Sequence, residues 1–300
     1  MTTQPKPNIE QCRQFYAQEI RWVANLATAG LVDALARVPR ERFLGDPPWQ
    51  IGSAEQRSLS LSGMVRITYT PTDDPRDLYH NVLVALDAAK DINNGQPSAL
   101  TRWIDALDLK PGERAYHLGC GVGYYTALMA ELVGPTGSVV GIDADAELAA
   151  RAQRNFNAYP NCAIHSADGA SFDPGDCDAI LVNAGVTHPH PLWLDRLRDG
   201  GRLVVPITMA ATPTIGQGVM IKITRSGTAY LVETVSMLAI FSGVGLRDPL
   251  LEPLMQKALT TGGLLQLKCV RRDVHEATDS CVLHGRQVCL SKGKPHAAAG

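Results

Sequence analysis

A short strand, a glycine-rich turn and the start of a helix are encoded near the middle of the chain. The residues are Ala115-Tyr116-His117-Leu118-Gly119-Cys120-Gly121-Val122-Gly123-Tyr124-Tyr125-Thr126. In an open α/β sheet, ligands collect beyond the carboxyl ends of the strands, and glycines there let a ligand approach the backbone closely. This stretch therefore predicts a ligand-binding turn at the carboxyl end of a strand.

The residues that follow Lys110-Pro111-Gly112 alternate between short apolar segments and amphipathic ones. This alternation is typical of a mainly parallel sheet covered by helices, so we expect an α/β, doubly wound, Rossmann-like core. The predicted strands are 114–118, 138–142, 163–166, 179–183 and 202–206, and the predicted helices are 125–133, 146–158 and 191–197.

The spacing of the glycines distinguishes between two adenosine-containing cofactors. A nicotinamide site uses G-x-G-x-x-G, whereas here the third glycine, Gly123, comes one residue early. The pattern G-x-G-x-G after the first strand favours S-adenosylmethionine, which has no pyrophosphate to cradle.

Two acidic residues strengthen the prediction of an S-adenosylmethionine site. Asp143 ends the second core strand, where its carboxylate can accept hydrogen bonds from both ribose hydroxyls, and Asp168 follows the third, where it can accept from an adenine amino group. The alternative is that Asp143 caps a helix and Asp168 lies in a turn. His117 either touches the methionine part or is a satisfied semi-buried histidine. The selected cofactor-binding residues are His117, Gly119, Gly121, Gly123, Tyr124, Asp143, Ala144, Asp168, Gly169 and Asn183.

The segments on either side of the core have patterns of their own. Before the core, the sequence predicts two helices within 9–38, loop-rich covering structure in 40–77 with one short strand near 64–69, a strand at 82–86 and a helix from 97 to 107. After the core, it predicts a hairpin of strands at 219–224 and 229–235, a helix at 250–260, strands at 264–270 and 287–291, and a frayed end from 293. We divide the chain into an N-terminal helical cap and acceptor-covering segment (1–110), the S-adenosylmethionine-binding core (111–208) and a C-terminal β-rich extension of the sheet (209–300).

The motifs resemble those of the class I methyltransferases, and their order along the chain resembles that of the protein-L-isoaspartate O-methyltransferase family. The segment 38–43 is similar to the family's V-P-R-E-x-F, Gly95-Gln96-Pro97 stands where the family has S-Q-P, and 177–185 and 200–206 are similar to its fourth and fifth strand motifs. The resemblance implies a class I methyltransferase fold and methyl transfer from S-adenosylmethionine to a carboxylate of a peptide or small molecule.

The chain departs from the family pattern in three places. Gly95 replaces the S-Q-P serine, His117 replaces an acidic residue common at the end of the first core strand, and the region after about residue 207 is longer than in a minimal repair enzyme. We therefore expect little or no activity on a simple isoaspartyl peptide and a different carboxyl or hydroxyl acceptor. A non-catalytic relative that binds S-adenosylmethionine for a regulatory or scaffolding role is the alternative.

Three residues are selected for the acceptor side of the site: Asn94, Gln96 and His188. Asn94 and Gln96 lie on a loop expected to cover the site, where side-chain amides can orient the acceptor. His188 and His190 follow the fourth strand and offer a base or a hydrogen-bond donor, or else belong to a rigid, solvated loop. A carboxylate is ionised at neutral pH and needs no base, so the lack of an obvious acid–base pair favours carboxyl methylation.

The composition of the 300-residue chain excludes several classes of protein. Its 45% hydrophobic and 19% charged residues and its net charge of −2 are close to the average of soluble globular proteins, which excludes collagen-like and disordered chains. No cluster of Lys and Arg indicates a nucleic acid or an acidic membrane as a partner. A polar N-terminus and the absence of an apolar run of about 18 residues favour a cytoplasmic protein. The oligomeric state is left open.

The cysteines do not predict a metal site. They are seven in number, scattered, and without a C-x-x-C pair, which argues against a disulfide framework and a thiolate zinc site and favours a reducing compartment. Cys177, His188 and His190 lack a further clustered ligand. One other set alternates with strand-like residues and is interpreted as structural: Cys281, His284 and Cys289. The prediction is that no metal is bound.

Overall fold

The structure is a computed structural model that describes residues 8–59 and 65–294. Four helices belong to the N-terminal part: α1 (Ile9–Ala24), α2 (Ala29–Arg37), α3 (Glu41–Leu44) and α4 (Pro97–Leu107). Asn8 and Gln11 form a capping box at the start of α1, and Pro97 occupies the first turn of α4. The two helices predicted within 9–38 and the helix from 97 to 107 are confirmed.

A four-stranded antiparallel sheet stands where mostly loop is predicted. Its strands are β1 (Trp49–Leu59), β2 (Val65–Thr72), β3 (Leu83–Asp87) and β4 (Ile92–Asn93), in the order β2-β1-β3-β4. The loop prediction for β1 was wrong because the apolar alternation that identifies a strand holds only from Trp49 to Ile51 and ends at Gly52-Ser53. Pairing with β2 and β3 defines this strand instead.

The core contains every strand and helix predicted for it, with ends that differ by a few residues. The elements in chain order are β5 (Arg114–Leu118), α5 (Tyr124–Val133), β6 (Ser138–Asp143), α6 (Ala146–Asn155), β7 (Cys162–Ser166), β8 (Cys177–Val182), α7 (Pro191–Arg196) and β9 (Leu197–Ala210). The five strands pair in parallel in the order β9-β8-β5-β6-β7. The carboxyl ends of all five strands therefore lie on the same side of the sheet, at the ends of the strands, and the predicted site residues lie there.

The C-terminal part continues the same sheet with antiparallel strands. Its elements are β10 (Ile215–Ser226), β11 (Ala229–Phe241), α8 (Glu252–Thr260), β12 (Cys269–Arg271), β13 (Cys281–His284) and β14 (Cys289–Ser291). The ten-stranded order is β13-β14-β12-β11-β10-β9-β8-β5-β6-β7. The predicted limit at residue 208 lies inside β9, so the core and the extension share a strand.

One C-terminal strand prediction was wrong and one strand was missed. Residues Gly263–Gln266 form a 3₁₀ helix instead of the start of a strand at 264–270. Leu264 and Leu267 are buried while Leu265 is exposed, an i, i+3 spacing that suits a three-residue turn. Strand β13 was not predicted. The frayed end predicted from 293 lies outside the described residues from 295 onward.

The two faces of the core sheet are covered by different helices. Along β5, Ala115 packs in a cluster with α1, α2, α4 and α5, whereas its neighbour Tyr116 packs in a second cluster with α7 and α8. Such alternation is expected of a strand that is buried on both sides. In the part of the chain that the structure describes, no helix combines the length and the apolarity that a bilayer crossing requires.

Candidate cofactor and acceptor site

The turn after β5 depends on three glycines with left-handed backbone conformations. The φ angles of Gly119, Gly121 and Gly123 are +75°, +57° and +94°. A Cβ on Gly119 would lie 2.9 Å from the Asn183 carbonyl oxygen, and one on Gly123 would lie 2.3 Å from the Phe156 ring. A Cβ on Gly121 would meet no atom within 4 Å. Packing therefore requires Gly119 and Gly123, whereas Gly121 faces open space, as expected of a glycine that a ligand approaches.

Asp143 is joined to this turn from the end of β6. Its Oδ2 accepts a hydrogen bond from the Gly121 N–H at 2.8 Å, and its Oδ1 accepts one from the Asp145 N–H at 3.0 Å. Each oxygen keeps a lone pair for a further donor. Burial raises the pKa of Asp143, and the two backbone hydrogen bonds oppose this shift.

The helix-cap role considered for Asp143 belongs to its neighbour. The Asp145 carboxylate accepts from the N–H groups of Glu147 and Leu148 at 2.9 and 3.1 Å and so caps α6. Asp143 is therefore free to serve a ligand.

A cleft of about 410 Å³ lies next to Asp143, at the ends of β6 and β7. It is lined by Ala144, Ser166, Ala167, Asp168, Val244 and Gly245. Asp168 is exposed to the cleft, and its Oδ1 also accepts from the Ala170 N–H at 3.0 Å. The turn role considered for Asp168 is therefore present beside its place in the cleft.

The wall formed by Val244 and Gly245 was not predicted from the sequence. This segment follows β11 and is fixed to the end of β8, because the Gly185 N–H donates to the Phe241 carbonyl at 2.7 Å and the Gly243 N–H donates to the Gly185 carbonyl at 2.9 Å. The signal that would have found it is the Gly243-Val244-Gly245 sequence after a strand, in which the valine side chain is 78% exposed.

His117 is completely buried beneath the glycine turn. Its Nδ1 lies 2.8 Å from the Thr126 Oγ1, and among the described residues its Nε2 has no hydrogen-bond partner. Burial lowers the pKa of His117 to about 3, so the ring is neutral. Contact with a methionine moiety stays a prediction, and Nε2 is the atom available for it.

Contact of Tyr124 with a cofactor stays a prediction, and its buried side chain leaves only its backbone for such a contact. Its side chain is fully buried, with ring contacts to Phe43 and Tyr125 and its hydroxyl 3.5 Å from that of Tyr16. It packs α5 against the N-terminal helices and presents no side-chain surface to a ligand. Tyr125 is the tyrosine near the site, because its hydroxyl donates to the Gly95 carbonyl at 3.2 Å.

Asn183 and Gly169, two other residues selected from the sequence, stabilise the glycine turn and the strand ends around it. The Asn183 Nδ2 donates to the Gly119 carbonyl at 3.3 Å. Gly169 is buried, a Cβ there would lie 2.3 Å from Leu118, and its carbonyl accepts from the Trp193 indole N–H at 3.0 Å. Both positions therefore hold the carboxyl ends of the strands together.

The loop before α4 lies beside the glycine turn. Tyr125, which follows the turn, connects the two through its hydrogen bond to the Gly95 carbonyl. Asn94 is buried, and its Nδ2 has no hydrogen-bond partner among the described residues. Gln96 is half-buried and precedes the first turn of α4. A buried donor without an acceptor is rare in folded proteins, so Asn94 has the property expected of a side chain that binds a ligand.

The two histidines after β8 differ in their roles. The His190 Nδ1 accepts from the Leu192 N–H at 3.3 Å and caps α7, so His190 is structural. The His188 Nδ1 lies 3.0 Å from the Thr187 Oγ1, which also accepts from the Asp248 N–H at 2.9 Å. Burial lowers the pKa of His188, and the Asp248 charge opposes this. His188 is therefore neutral at pH 7 and a weaker base than a free histidine.

A parallel sheet with a glycine turn after its first strand and a carboxylate at the end of the second is the architecture of a class I methyltransferase. A sequence model described as "Protein-L-isoaspartate(D-aspartate) O-methyltransferase" matches residues 59–247. The chain therefore belongs to the protein-L-isoaspartate O-methyltransferase family.

Curated relatives agree with this assignment. A protein-L-isoaspartate O-methyltransferase of Methanothrix thermoacetophila is 30% identical over 193 residues, which are 63% of this chain and 78% of that protein. Protein-L-isoaspartate O-methyltransferase 1 of Archaeoglobus fulgidus is 36% identical over 146 residues, which are 44% of this chain and 67% of that one.

Solved structures support the fold. A structure of a protein-L-isoaspartate O-methyltransferase matches with a TM-score of 0.60 at 21% identity and covers 80% of this chain and 69% of that chain. A putative enzyme of the same name from Plasmodium falciparum, in complex with S-adenosyl-L-homocysteine, matches with a TM-score of 0.57 at 17% identity and covers 77% of this chain and 97% of that one. The predicted class I methyltransferase fold is confirmed, and family membership confirms the predicted S-adenosylmethionine-dependent O-methyltransferase.

Proposed function

We propose that this enzyme methylates a carboxylate of a peptide or protein and that simple isoaspartyl peptides are poor acceptors. The observation that carries the proposal is the buried Asn94 amide, which has no acceptor among the described residues. A carboxylate oxygen of the acceptor would supply one. Leaving such a donor unpaired costs about 1–3 kcal/mol, which binding of the acceptor would recover.

The cofactor is held, in this proposal, by the residues whose arrangement fits it. Gly121 leaves room beside the turn, the Asp143 carboxylate has free lone pairs for the ribose hydroxyls, and Asp168 and Val244 line the cleft for the adenine. His117 offers Nε2 to the methionine part. When bound there, S-adenosylmethionine would supply an electrophilic methyl group to an acceptor oxygen, with the thioether S-adenosylhomocysteine as the leaving group.

The chain's contribution to the reaction is position and the exclusion of water. Orientation alone supplies roughly 7–11 kcal/mol in the best intramolecular cases. A carboxylate acceptor is already ionised, whereas burial lowers the pKa of both histidines considered as bases, His188 and His190. These properties support a carboxylate acceptor over a hydroxyl or an amine.

Gly95 supports the second half of the proposal. Its φ is +74°, and a Cβ there would lie 2.7 Å from the Leu100 Cδ2. A serine side chain therefore does not fit this loop as it is folded, and the hydroxyl of the family's S-Q-P segment has no counterpart at this position. We infer that the pocket takes a carboxylate presented differently from that of a simple isoaspartyl peptide.

The test is a labelled-methyl assay with three acceptors: an isoaspartyl peptide, its aspartyl control and a fractionated extract of peptides and proteins. We expect a product from the extract that is labile to mild base, and little product from the isoaspartyl peptide. Turnover of the isoaspartyl peptide alone would contradict the proposal and indicate that the enzyme repairs isoaspartyl residues. A base-stable product would show that the methylated group is a hydroxyl or a nitrogen and not a carboxylate. Cofactor binding without any turnover would favour the scaffolding alternative.

The role of Asn94 is tested by Asn94→Ala with Asn157→Ala, an exposed asparagine, as the matched control. We expect kcat/KM for the acceptor to fall at least about tenfold, as for a lost hydrogen bond to a charged group, while S-adenosylhomocysteine affinity is unchanged. An equal loss of cofactor affinity would assign Asn94 to the cofactor site instead.

A cytoplasmic location is part of the same proposal. All seven cysteines are unpaired, which supports a reducing compartment. The formal net charge of −2 supports the proposal that neither a nucleic acid nor a membrane is a partner.

A further inference from the structure

Four potential metal ligands converge in the C-terminal extension, far from the glycine turn. They are His275, Cys281, His284 and Cys289, and one ligand atom of each lies within 4.8 Å of all the others. They form the sequence pattern H-x₅-C-x₂-H-x₄-C. The sequence analysis interpreted Cys281, His284 and Cys289 as structural, and it did not include His275, which completes the set.

The local fold brings these side chains together. Strands β13 and β14 pair with His284 opposite Cys289, and Cys281 lies three residues before His284 on the same strand. The loop before β13 carries His275 back over the hairpin, so that its ring centroid lies 4.8 Å from that of His284. Its Nε2 lies 3.5 Å from the Cys281 Sγ. The two strands and the loop thus each contribute to one cluster.

We propose that these four residues bind a zinc ion. Two thiolates and two imidazoles are a donor set that zinc takes in tetrahedral geometry. With Zn–S of about 2.3 Å and Zn–N of about 2.0–2.1 Å, tetrahedral ligand atoms lie roughly 3.3–3.8 Å apart. Since the ligand atoms lie within 4.8 Å of one another, each pair needs to close by no more than about 1.5 Å.

The hydrogen-bond surroundings of the two histidine rings are also those expected of zinc ligands. The His275 Nδ1 lies 2.9 Å from the Asp273 carbonyl oxygen, which can only accept. Nδ1 therefore carries the proton, and the lone pair of Nε2 points toward Cys281; a backbone carbonyl fixes zinc-bound histidines in this way. The His284 Nδ1 is buried and has no hydrogen-bond partner among the described residues.

The site is structural rather than catalytic. Four protein ligands leave no open coordination position for a substrate or water. In the sheet, β13 stands seven strands from β5, a distance of roughly 34 Å at about 4.8 Å per strand. Strands β12, β13 and β14 have only three or four residues each. The metal would fasten these short strands and the loop before β13 to one another.

The first test is metal analysis of the full chain, purified under reducing conditions without added metal or chelator. We expect about one zinc per chain. Cys289→Ser and His275→Gln should each retain less than about a tenth of it, and Cys12→Ser, a half-buried cysteine outside the cluster, should retain all of it. Unchanged zinc in the ligand variants would refute the assignment.

A second test does not depend on variants that fold. The wild-type chain, stripped by a chelator and titrated with Co²⁺, should develop thiolate-to-cobalt charge-transfer bands and the intense visible bands of a tetrahedral site, and Zn²⁺ should abolish both. A reduced chain that takes up neither ion, or a Cys281–Cys289 disulfide in the purified reduced protein, would overturn the proposal. S-adenosylhomocysteine binding, measured on the same samples, separates this outcome from failure of the proposed function.

Discussion

Asp143 carries the prediction that most directly tests the cofactor site. Hydrogen bonds from ribose hydroxyls favour its ionised form, while burial raises its pKa in the free protein. S-adenosylhomocysteine affinity should therefore fall as the pH is lowered through the pKa of Asp143, which burial places above the ordinary Asp value. Asp143→Asn should weaken binding at least about tenfold at neutral pH and flatten the pH dependence.

Calorimetry at a series of pH values measures both effects. The matched control is Asp145→Asn, because asparagine caps a helix as well as aspartate does, and its affinity should stay within about twofold of wild type. An Asp143→Asn protein that binds like wild type would show that the ribose is held elsewhere.

His117 predicts how stability depends on pH. The folded protein keeps the ring neutral, with a pKa of about 3 against 6.5 for a free histidine. Between these values the unfolded chain binds a proton that the folded protein does not, so the free energy of unfolding falls as the pH decreases from 6.5 toward 3. The contribution is at most about 5 kcal/mol.

Urea unfolding at several pH values checks this. His117→Gln should lose less stability on acidification than wild type does, whereas a variant of the exposed His80, His80→Gln, should follow wild type. Parallel curves for wild type and His117→Gln would contradict the assignment of the buried neutral ring.

The sequence located Asp143 because strand periodicity fixes where β6 ends. It did not distinguish the surroundings of Tyr124 from those of Tyr125, because every residue on α5 from Tyr124 to Ala130 is buried. A helix without a polar face gives no sign of which side meets the ligand. Asn94 was selected from its loop, but the missing partner of its amide is visible only in three dimensions.

The glycine turn, taken as one element, gives a prediction with its own internal control. Gly123→Ala places a Cβ 2.3 Å from the Phe156 ring at a φ of +94°, and it should lose several kcal/mol of stability, roughly 2–4 from strain and overpacking together. Gly121→Ala meets no neighbour and should cost only about 1–2 kcal/mol. Its methyl group nevertheless occupies the open side of the turn, so cofactor affinity should fall.

Thermal unfolding and S-adenosylhomocysteine titration of the two variants separate packing from binding. If Gly121→Ala binds the cofactor normally, the ligand does not approach the turn at Gly121.

Elements with strong periodicity were predicted well, and the others were not. The core strands are short, mostly apolar segments separated by helical ones, so the alternation itself gives each element a local signal. Strand β1 is held by its pairing partners, and the Leu264–Leu267 segment is shaped by an i, i+3 pair of buried leucines. The pairing of β1 lies in tertiary structure, which local patterns do not encode, whereas the spacing of Leu264 and Leu267 is local and was interpreted as part of a strand.

The ten-stranded sheet places the cofactor site near one edge and the proposed zinc site at the other. Hydrogen exchange should therefore respond to each ligand separately. S-adenosylhomocysteine should slow exchange at residues 120–123, 143–145 and 243–246 and leave 281–291 unchanged, whereas a chelator should speed exchange at 281–291. Protection of both regions by S-adenosylhomocysteine would show that the two edges are coupled.

Agreement between the sequence and the whole molecule is greatest for the parallel core. The order of motifs indicated the methyltransferase sheet, and the family model confirms it. The extension was predicted as strands and a helix, but its antiparallel addition to β9 and the convergence of four metal ligands depend on pairing between segments distant in the chain. Such pairing is not determined by any one segment's pattern.

The position of Val244 and Gly245 has a consequence for biosynthesis. Strands β5 to β7 leave the ribosome long before the segment that closes their cleft, and this segment reaches its place only after β10 and β11 have joined β9. A nascent chain thus acquires the glycine turn and both carboxylates while one wall of the proposed nucleoside cleft is still missing. Because domains fold as units as they emerge, tight capture of the cofactor is deferred until translation has passed the end of β11.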